Sequence, residues 1–235
     1  MRKDILFHAS QLGKLMTEPK TKAAKEAGEL SETTKSHIEE IWLENEYGYK
    51  EELLNAEIRK GKLCEQGAID FVQLVHGGEM RVKNVLLFEN SHLSGTPDII
   101  TMKEGIEVIE DIKCSFTVRT FFKAECREGD NYWWQGQAYM DLTGARSFRL
   151  IYVLMQTPEN IVNELKKRVY FINDCDESSP EYKASCEQIE ANHTISHIPF
   201  EKRIKIFEFG YDQEAIHSLY ARIDKCREYY NSLEL

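Results

Sequence analysis

Two aspartates and a lysine near the middle of the chain have the types and spacing of a metal-assisted hydrolytic site. Asp98 follows Pro97, and Asp111 and Lys113 lie two residues apart. Because side chains at i and i+2 of a strand point to the same face, Asp111 and Lys113 should project together, with Ile112 turned into the core. A hairpin between the two strands can bring Asp98 alongside them.

The chemistry of these residue types points to phosphodiester hydrolysis. Two converging carboxylates repel each other unless a cation lies between them, and hard oxygen ligands favour Mg²⁺ or, as an alternative, Mn²⁺. The backbone carbonyl of Ile112 could supply one further oxygen ligand. Lys113 beside the metal can orient or deprotonate a water, or stabilise charge on phosphorus. The alternative is structural, with Asp98 capping a turn and Asp111 and Lys113 forming a surface ion pair.

Two more side chains could join this site. Glu65, on a helix just before the strands, could complete the metal site, or it could be a solvated surface residue. It is flanked by small residues that permit close approach to a sheet: Gly61, Gly67 and Ala68. Gln135 and Tyr139 lie at i and i+4 on one helix face, where Gln135 could hold a water or a phosphate oxygen. For Trp133 and Trp134 we favour core packing.

Hydrophobic spacing and turn residues place these candidates on a mixed set of elements. Helices are predicted from near Ser10 to Leu15 and over 32–46, 51–75, 117–126, 131–142 and 212–232. Strands are predicted over 80–89, 93–102, 106–114, 147–155 and 203–209, the first three as consecutive antiparallel strands. This order predicts an α/β fold in which a central mixed β-sheet is flanked by helices, after a helical N-terminal third.

The chain carries no repeat or linker, so we expect a single domain. Its predicted parts are a helical N-terminal part, a catalytic sheet core, an insertion with a short helix, and a C-terminal strand and helix: residues 1–76, 79–155, about 157–200 and 203–232.

Composition narrows the class of protein. The 235 residues are 42% hydrophobic and 30% charged, with no apolar run long enough to span a bilayer and no secretory signal, which predicts a cytoplasmic protein without membrane contact. Six cysteines are scattered singly, which disfavours zinc or a disulfide framework. The net charge of −10 argues against nucleic acid as a partner, but basic residues gather locally, for example between Lys113 and Arg127.

With these residues assembled, the chain resembles the PD-(D/E)XK nuclease superfamily, and within it the lambda-exonuclease (YqaJ-type viral recombinase) group. The resemblance covers about Ser10 to Tyr139 and is carried by five segments: 8–11, 61–68, 95–98, 110–114 and 135–137. It implies a restriction-endonuclease-like core. The chief departure is Asp111, where close relatives usually carry glutamate. Glu110 is adjacent but should face the other side of the strand.

The resemblance also implies roles for individual residues. Asp98 and Asp111 would bind the metal with help from Glu65, while Lys113 would activate or orient water, assisted by Gln135. Ser10, with Arg2 or Lys3, would hold the 5′-phosphate of DNA. The closely spaced cysteine set of iron–sulfur relatives is missing, so no such cluster is expected.

The implied activity is 5′ to 3′ resection of linear double-stranded DNA from its ends, for recombination, as in a phage exonuclease working in the host cytoplasm. The implied partners are DNA ends and a single-strand annealing protein. Family relatives form toroidal trimers, which this sequence neither supports nor opposes. Two alternatives stay open: a structure- or site-specific endonuclease of the same superfamily, and a catalytically silent DNA-binding module.

Overall fold

A computed structural model of the chain describes residues 4–50, 55–78, 80–103, 105–173 and 176–235. The α-helices are α1 Leu12–Leu15, α2 Lys22–Glu26, α3 Glu32–Tyr47, α4 Ala56–His76, α5 Val118–Phe122, α6 Asn131–Thr143, α7 Glu159–Asn173, α8 Pro180–His193 and α9 Gln213–Tyr230. The strands are β1 Phe7–His8, β2 Phe88–Glu89, β3 Leu93–Gly95, β4 Ile99–Lys103, β5 Ile106–Cys114, β6 Ser147–Val153 and β7 Ile204–Gly210. Short 3₁₀ turns cover Ala9–Gln11 and Phe200–Lys202.

The strands form two mixed sheets flanked by helices, which confirms the predicted fold class. The larger sheet has the order β4-β5-β6-β7, in which β5 and β6 run parallel and the outer pairs are antiparallel. The smaller sheet has the order β1-β3-β2, with β1 parallel and β2 antiparallel to β3. No helix among the described residues has both the length and the apolar character needed to cross a membrane.

The two faces of the larger sheet are packed by different helices. On one face, Ile112, Ile151 and Val153 lie in a buried cluster with Ala68, Ile69 and Val72 of α4. On the other face, Ile109, Phe148 and Leu150 lie in a larger cluster with α1, α6 and α9. Neighbouring residues of β5 therefore face different helices, as the alternation of side chains along a strand requires. This alternation places Asp111 and Lys113 on the α6 side and Glu110 and Ile112 on the α4 side.

The predicted meander over 80–102 was wrong in its detail. Only Phe88–Glu89 of the predicted first strand is a strand, and the preceding segment touches the larger sheet through a single bridge from Lys83 to Ile99. Asn84 ends this pairing, because its side-chain amide contacts the backbone of Leu86 and Pro97. The predicted strand 93–102 divides into β3 and β4 at Pro97, which has no N–H to donate to a ladder.

Other boundaries also differ from the prediction. Helix α5 ends at Phe122 rather than at 126, where the Nζ of Lys205 donates to the Phe122 carbonyl at 2.7 Å. Residues 157–200 contain two full helices, α7 and α8, instead of one short helix. The α2 helix was not predicted, although Thr21 caps it by accepting from Ala24 N–H. The first residues of the predicted helix over 51–75 lie outside the described residues.

Candidate active site

Strand β5 holds the two charged residues of the D-x-K segment on one face. The Asp111 side chain is 1% exposed and that of Lys113 is 27% exposed, with Lys113 Nζ 2.8 Å from Asp111 Oδ2. Burial lowers the pKa of Lys113, but the charges of Asp111 and Asp98 outweigh it and leave that pKa above its usual range. Lys113 is therefore a protonated, positively charged group in this form of the protein.

Asp98 immediately precedes β4 and is brought to Asp111 by the register of the hairpin. Ile99 pairs with Glu110, so the next pair along the ladder sets Asp98 beside Asp111. The Oδ2 of Asp98 accepts a hydrogen bond from the Ile112 N–H at 3.3 Å. Burial, and then the charge of Asp111, raise the pKa of Asp98 to about 7, although Lys113 and the Ile112 N–H oppose the shift. Two carboxylates buried this close together repel each other, and the single positive charge of Lys113 does not neutralise both.

Gln135 reaches the same carboxylates from α6. Its Nε2 donates to Asp111 Oδ1 at 3.2 Å and to the Tyr139 hydroxyl at 3.0 Å. Burial and the charge of Asp111 raise the pKa of Tyr139 to about 12, so its hydroxyl stays protonated at neutral pH. Gln137, two residues further along α6, has a structural role. Its Nε2 donates to the Gly210 carbonyl and its Oε1 accepts from the Asp212 N–H, which holds α6 against the end of β7.

Glu65 lies on α4 and is not bonded to the two aspartates. Its Oε2 is 2.7 Å from Lys83 Nζ, an ion pair across the segment that follows α4. Within the described ranges no three His, Cys, Asp or Glu side chains form a cluster that could hold a metal ion. The structure thus brings Asp98, Asp111 and Gln135 together with Lys113, and leaves Glu65 apart from them.

The small residues around Glu65 do not all behave as predicted. Ala68 is fully buried against the sheet, as expected. A side-chain carbon added at Gly61 would meet nothing within 4 Å, and one at Gly67 would lie 3.5 Å from Met155 Cε, which is ordinary contact. Close approach to the sheet therefore does not require glycine at positions 61 and 67.

Glu65, Asp98 and Lys113 line one open cavity of about 530 Å³. Its walls include Glu65, Asp98, Ile112, Lys113, Phe116, Tyr132 and Tyr152. Asp111, which is buried, is not among the described residues that line it, but it contacts Lys113, which is.

The donor set fits a hard divalent cation. Asp98 and Asp111 present two adjacent carboxylates, and Asp111 Oδ2 accepts no hydrogen bond of good geometry despite its ion pair with Lys113. A buried oxygen of this kind is costly unless a cation compensates it. Mg²⁺ binds through one or two carboxylates and keeps several waters, so two protein carboxylates suffice.

The residues expected to hold a 5′-phosphate are placed only in part. Ser10 is exposed on the 3₁₀ turn after β1 and is not among the described residues that line the cavity. The turn itself is held close to the site, because a side-chain carbon at Gly95 would lie 2.7 Å from the Tyr139 ring and 3.1 Å from Ala9 Cβ. Arg2 and Lys3 lie outside the described residues.

Glu110 faces away from the site, as predicted. It is 1% exposed and binds Arg81 through Nε at 2.6 Å and Nη2 at 3.2 Å. Arg149 Nη1 adds a third contact at 3.1 Å. Two guanidinium groups neutralise this buried carboxylate, and Glu110 is not among the described residues that line the cavity.

Several residues around the cavity were not predicted from the sequence. Tyr132 could have been found, because it shares a helix face with Gln135 and Tyr139 at i+3 and i+7. Lys60 had no such signal: it is 1% exposed, its Nζ donates to the Phe116 carbonyl at 2.9 Å, and burial lowers its pKa to about 8. Phe116 in turn stacks edge-on with His193 at 4.9 Å, which ties the cavity wall to α8.

Comparison with known proteins places this fold among exonucleases. The chain matches no known protein-family description, and no curated protein matches it. A phage-related exonuclease from Haemophilus somnus 129PT is similar in structure, with a TM-score of 0.73 and 26% identity over 97% of this chain and 94% of that one. The alkaline exonuclease LHK-Exo from Laribacter hongkongensis matches with a TM-score of 0.61 and 14% identity, over 98% of this chain and 90% of that one.

The same LHK-Exo in complex with dAMP gives a TM-score of 0.62 at 14% identity, again over 98% of this chain and 90% of that one. At this identity the likeness shows the fold, whereas the Haemophilus structure also shares about a quarter of its residues with this chain. These phage-related and alkaline exonucleases are the neighbours expected of a lambda-exonuclease-like PD-(D/E)XK nuclease, and the resemblance drawn from the sequence is confirmed.

Proposed function

We propose that this protein is a metal-dependent DNA exonuclease that hydrolyses phosphodiester bonds of linear double-stranded DNA. One observation carries the proposal: Asp98 and Asp111 lie together beside Lys113 at an open cavity, in a chain whose structural neighbours are exonucleases. A surface ion pair, the structural alternative, would leave Asp111 exposed, but its side chain is 1% exposed.

In this proposal Asp98 and Asp111 hold Mg²⁺ or Mn²⁺, with the carbonyl of Ile112 and the carboxylate of Glu65 as further oxygen donors. The bound cation would polarise the phosphate and lower the pKa of a bound water. Glu65 can take part only by leaving Lys83, to which it is now paired.

The side chains around the carboxylates supply the rest of the chemistry. Lys113 carries a proton, because Asp111 and Asp98 hold its pKa above the usual range, so it acts as a donor and a positive charge toward water or a phosphate oxygen. Gln135 holds Asp111 Oδ1 and leaves Oδ2 facing Lys113. The phenol of Tyr139 orients Gln135 by accepting its second N–H.

The finer proposals concern direction and partners. Ser10, with Arg2 or Lys3, would hold a 5′-phosphate and so direct resection 5′ to 3′ for recombination, in the cytoplasm of a host cell if the protein is phage-encoded. Support comes from the packing of the turn that carries Ser10 against Gly95 and Tyr139, close to the catalytic elements. A single-strand annealing protein and a homotrimer are the partners that the resemblance implies.

The first experiment compares a linear duplex bearing 5′-phosphates with a closed circle of the same sequence, each incubated with Mg²⁺. Lys113→Ala should abolish cleavage. Lys183→Ala, which removes an exposed lysine on α8, should cleave like the parent protein. Degradation of the linear DNA alone supports the exonuclease. Cleavage of the circle would indicate an endonuclease instead. If the protein binds DNA but cleaves neither DNA with Mg²⁺ or, in a repeat of the experiment, with Mn²⁺, only the catalytically silent DNA-binding module would remain.

Direction is tested separately with duplexes labelled at one end and carrying or lacking a 5′-phosphate. We expect early release of nucleotides from the 5′ end, faster on the phosphorylated duplex. Ser10→Ala should reduce this preference for phosphate and leave cleavage of the unphosphorylated duplex intact. Release from 3′ ends, in either DNA, would contradict the proposed direction.

A further inference from the structure

The ammonium group of Lys113 contacts groups of two different kinds, a carboxylate and an aromatic ring. One is Asp111 Oδ2, at 2.8 Å, and the other is the ring of Tyr132, whose centroid lies 5.3 Å from Lys113 Nζ. A cation within about 6 Å of a ring centroid and over its face is attracted by the quadrupole of the ring. Tyr132 belongs to the cavity wall, as does Lys113.

The ring of Tyr132 is held in place from two sides. It meets Tyr152 of β6 edge-on, with centroids 6.1 Å apart. Its helix begins at Asn131, whose Oδ1 accepts a hydrogen bond from the Gly13 N–H at 3.2 Å and so fastens α1 to the first turn of α6. A ring restrained in this way offers the ammonium group a fixed surface.

We propose that Tyr132 is the positioning residue of Lys113 and that it acts through the face of its ring. The inference rests on the proposed function. A divalent cation held by Asp98 and Asp111 would compete with Lys113 for the Asp111 carboxylate, so the ion pair alone would no longer define where the ammonium group lies. The ring of Tyr132 is not a ligand of the cation and keeps its hold on Lys113, directing the charge toward the cavity that takes the substrate.

This role differs from that of a residue that binds DNA. A positioning residue alters the rate of the bound complex, because it changes where Lys113 lies relative to the reacting phosphate. A residue that only binds substrate alters KM and the dissociation constant and leaves kcat in place. The proposal assigns this role to the ring rather than to the hydroxyl. Phenylalanine should therefore preserve kcat, whereas a non-aromatic side chain of similar size should not.

The experiment uses the full chain with Tyr132→Phe and Tyr132→Met. We measure kcat and KM on a 5′-phosphorylated linear duplex with Mg²⁺, and the dissociation constant of the same DNA by fluorescence anisotropy with Ca²⁺ as the oxygen-bound cation. We expect kcat of Tyr132→Met to fall roughly threefold to thirtyfold below that of Tyr132→Phe, the range that a cation–π contact can supply. The dissociation constants of the two variants should agree within about twofold.

The chain offers a matched control at Tyr211, whose ring lies 4.5 Å from the Arg146 guanidinium and does not line the cavity. Tyr211→Phe and Tyr211→Met repeat the same pair of substitutions at a cation–π contact remote from the site, and their kcat values should match. A difference there as large as at Tyr132 would show that the loss of such a contact acts through stability, which would overturn the proposal.

Other outcomes are equally decisive. Equal kcat for Tyr132→Phe and Tyr132→Met, or a loss confined to DNA affinity, would overturn the role of the ring. If circular dichroism shows that Tyr132→Met does not fold, Tyr132→Trp replaces it, with kcat expected at or above that of Tyr132→Phe because tryptophan binds cations best; a lower kcat would refute the inference. An inactive parent protein would refute the proposed function instead.

Discussion

At the scale of single residues, the site is defined by a conflict of charge. Asp98 and Asp111 are buried close together, and the nearby positive charge of Lys113 compensates only part of their combined negative charge. The pKa of Asp98 rises to about 7 as a result, first because of burial and then because of Asp111. This arrangement destabilises the metal-free folded protein and favours binding of a cation. Such a cost to stability is typical of a functional site.

The raised pKa of Asp98 predicts a pH dependence of metal binding. Because the cation binds the ionised carboxylate, a proton must leave wherever the pH lies below about 7. We expect the affinity for Mg²⁺ to fall roughly tenfold for each pH unit below that value and to level off above it. Calorimetric titration in two buffers of different protonation enthalpy would measure this proton release at pH 6, and binding without release there would contradict the assignment.

Asp98→Asn should separate stability from activity. The pKa of Asp98 is raised in the folded state, so ionising this group costs stability; the cost is absent below the ordinary value of 3.8 and complete above about 7. Asparagine removes the charge and keeps an oxygen for the Ile112 N–H. At pH 8, without metal, we expect a gain on the order of 1–3 kcal/mol, or roughly 2–10 °C in Tm, together with loss of cleavage.

The same comparison at pH 4 provides the control. At pH 4 Asp98 is protonated in the folded protein and only about half ionised in the unfolded chain, so little of the cost remains and the two proteins should melt within a degree or two of each other. A gain in Tm of the same size at pH 4 and pH 8 would mean that the charge of Asp98 is not its cause.

At the scale of elements, helix α6 has two roles, which are carried by neighbouring residues. Gln135 and Tyr139 point to the site, while Gln137 fastens the helix to the turn after β7. Gly136 lies between these two glutamines and lets the helix approach the sheet, since a side-chain carbon there would lie 2.7 Å from Phe148 Cδ1. The distance from α6 to β6 thus sets whether Gln135 reaches Asp111.

Gly136→Ala should therefore lower both stability and activity. The added methyl group would also lie 2.8 Å from Phe209 Cζ, so the buried ring of Phe148 and the partly buried ring of Phe209 would have to shift to admit it. We expect a loss of about 1–3 kcal/mol, seen as a lower midpoint in urea unfolding, and a lower kcat as Gln135 moves from Asp111. Gly67→Ala, at an exposed position of α4, is the matched control and should stabilise the protein by roughly 0.5–1 kcal/mol. Equal effects of the two substitutions would show that close packing at Gly136 is unimportant.

The sequence predicted those elements whose local signals agreed with their packing. Helix α3 and strands β5, β6 and β7 lie within two or three residues of their predicted ends, because apolar periodicity matched the face that each buries. The segment 80–87 looked like a strand by composition, but the side chain of Asn84 takes the backbone contacts that a ladder would need. That choice depends on the carbonyl of Pro97, which is distant in the sequence.

The candidate site divides in the same way. Asp111 and Lys113 follow from alternation along one strand, and Asp98 from a hairpin, so the sequence placed them together. The ion pair of Glu65 with Lys83 and the packing of Lys113 on Tyr132 depend on how separate elements dock. No local pattern encodes such docking, which is why these contacts were not predicted.

At the scale of the whole molecule, a net charge of −10 must be reconciled with a polyanionic substrate. Acidic and basic residues are not evenly spread around the cavity. Lys62 lines it from α4. Exposed Arg119 precedes Thr120 of α5, and exposed Lys123 precedes Ala124 just after α5; Thr120 and Ala124 both line the cavity. Glu57, Glu65 and Asp98 also line the cavity, so the basic residues offset acidic ones close by. Attraction to phosphate acts over about 8–10 Å at physiological ionic strength, so acidic residues farther from the cavity than this have little effect.

The basic rim formed by Lys62, Arg119 and Lys123 predicts how DNA binding responds to salt. Each phosphate contact contributes about 0.9 to the slope of log affinity against log salt concentration for duplex DNA. Replacing all three by alanine should reduce the magnitude of that slope by about 2–3 and weaken binding at low salt, with smaller differences at high salt. The Ca²⁺-supported dissociation constant, measured between roughly 50 and 200 mM salt, gives the slope directly. Lys183→Ala removes one positive charge from α8 and should leave the slope unchanged. If it changed the slope as much as a single rim substitution does, the overall charge of the protein, rather than the basic rim, would be what attracts the DNA.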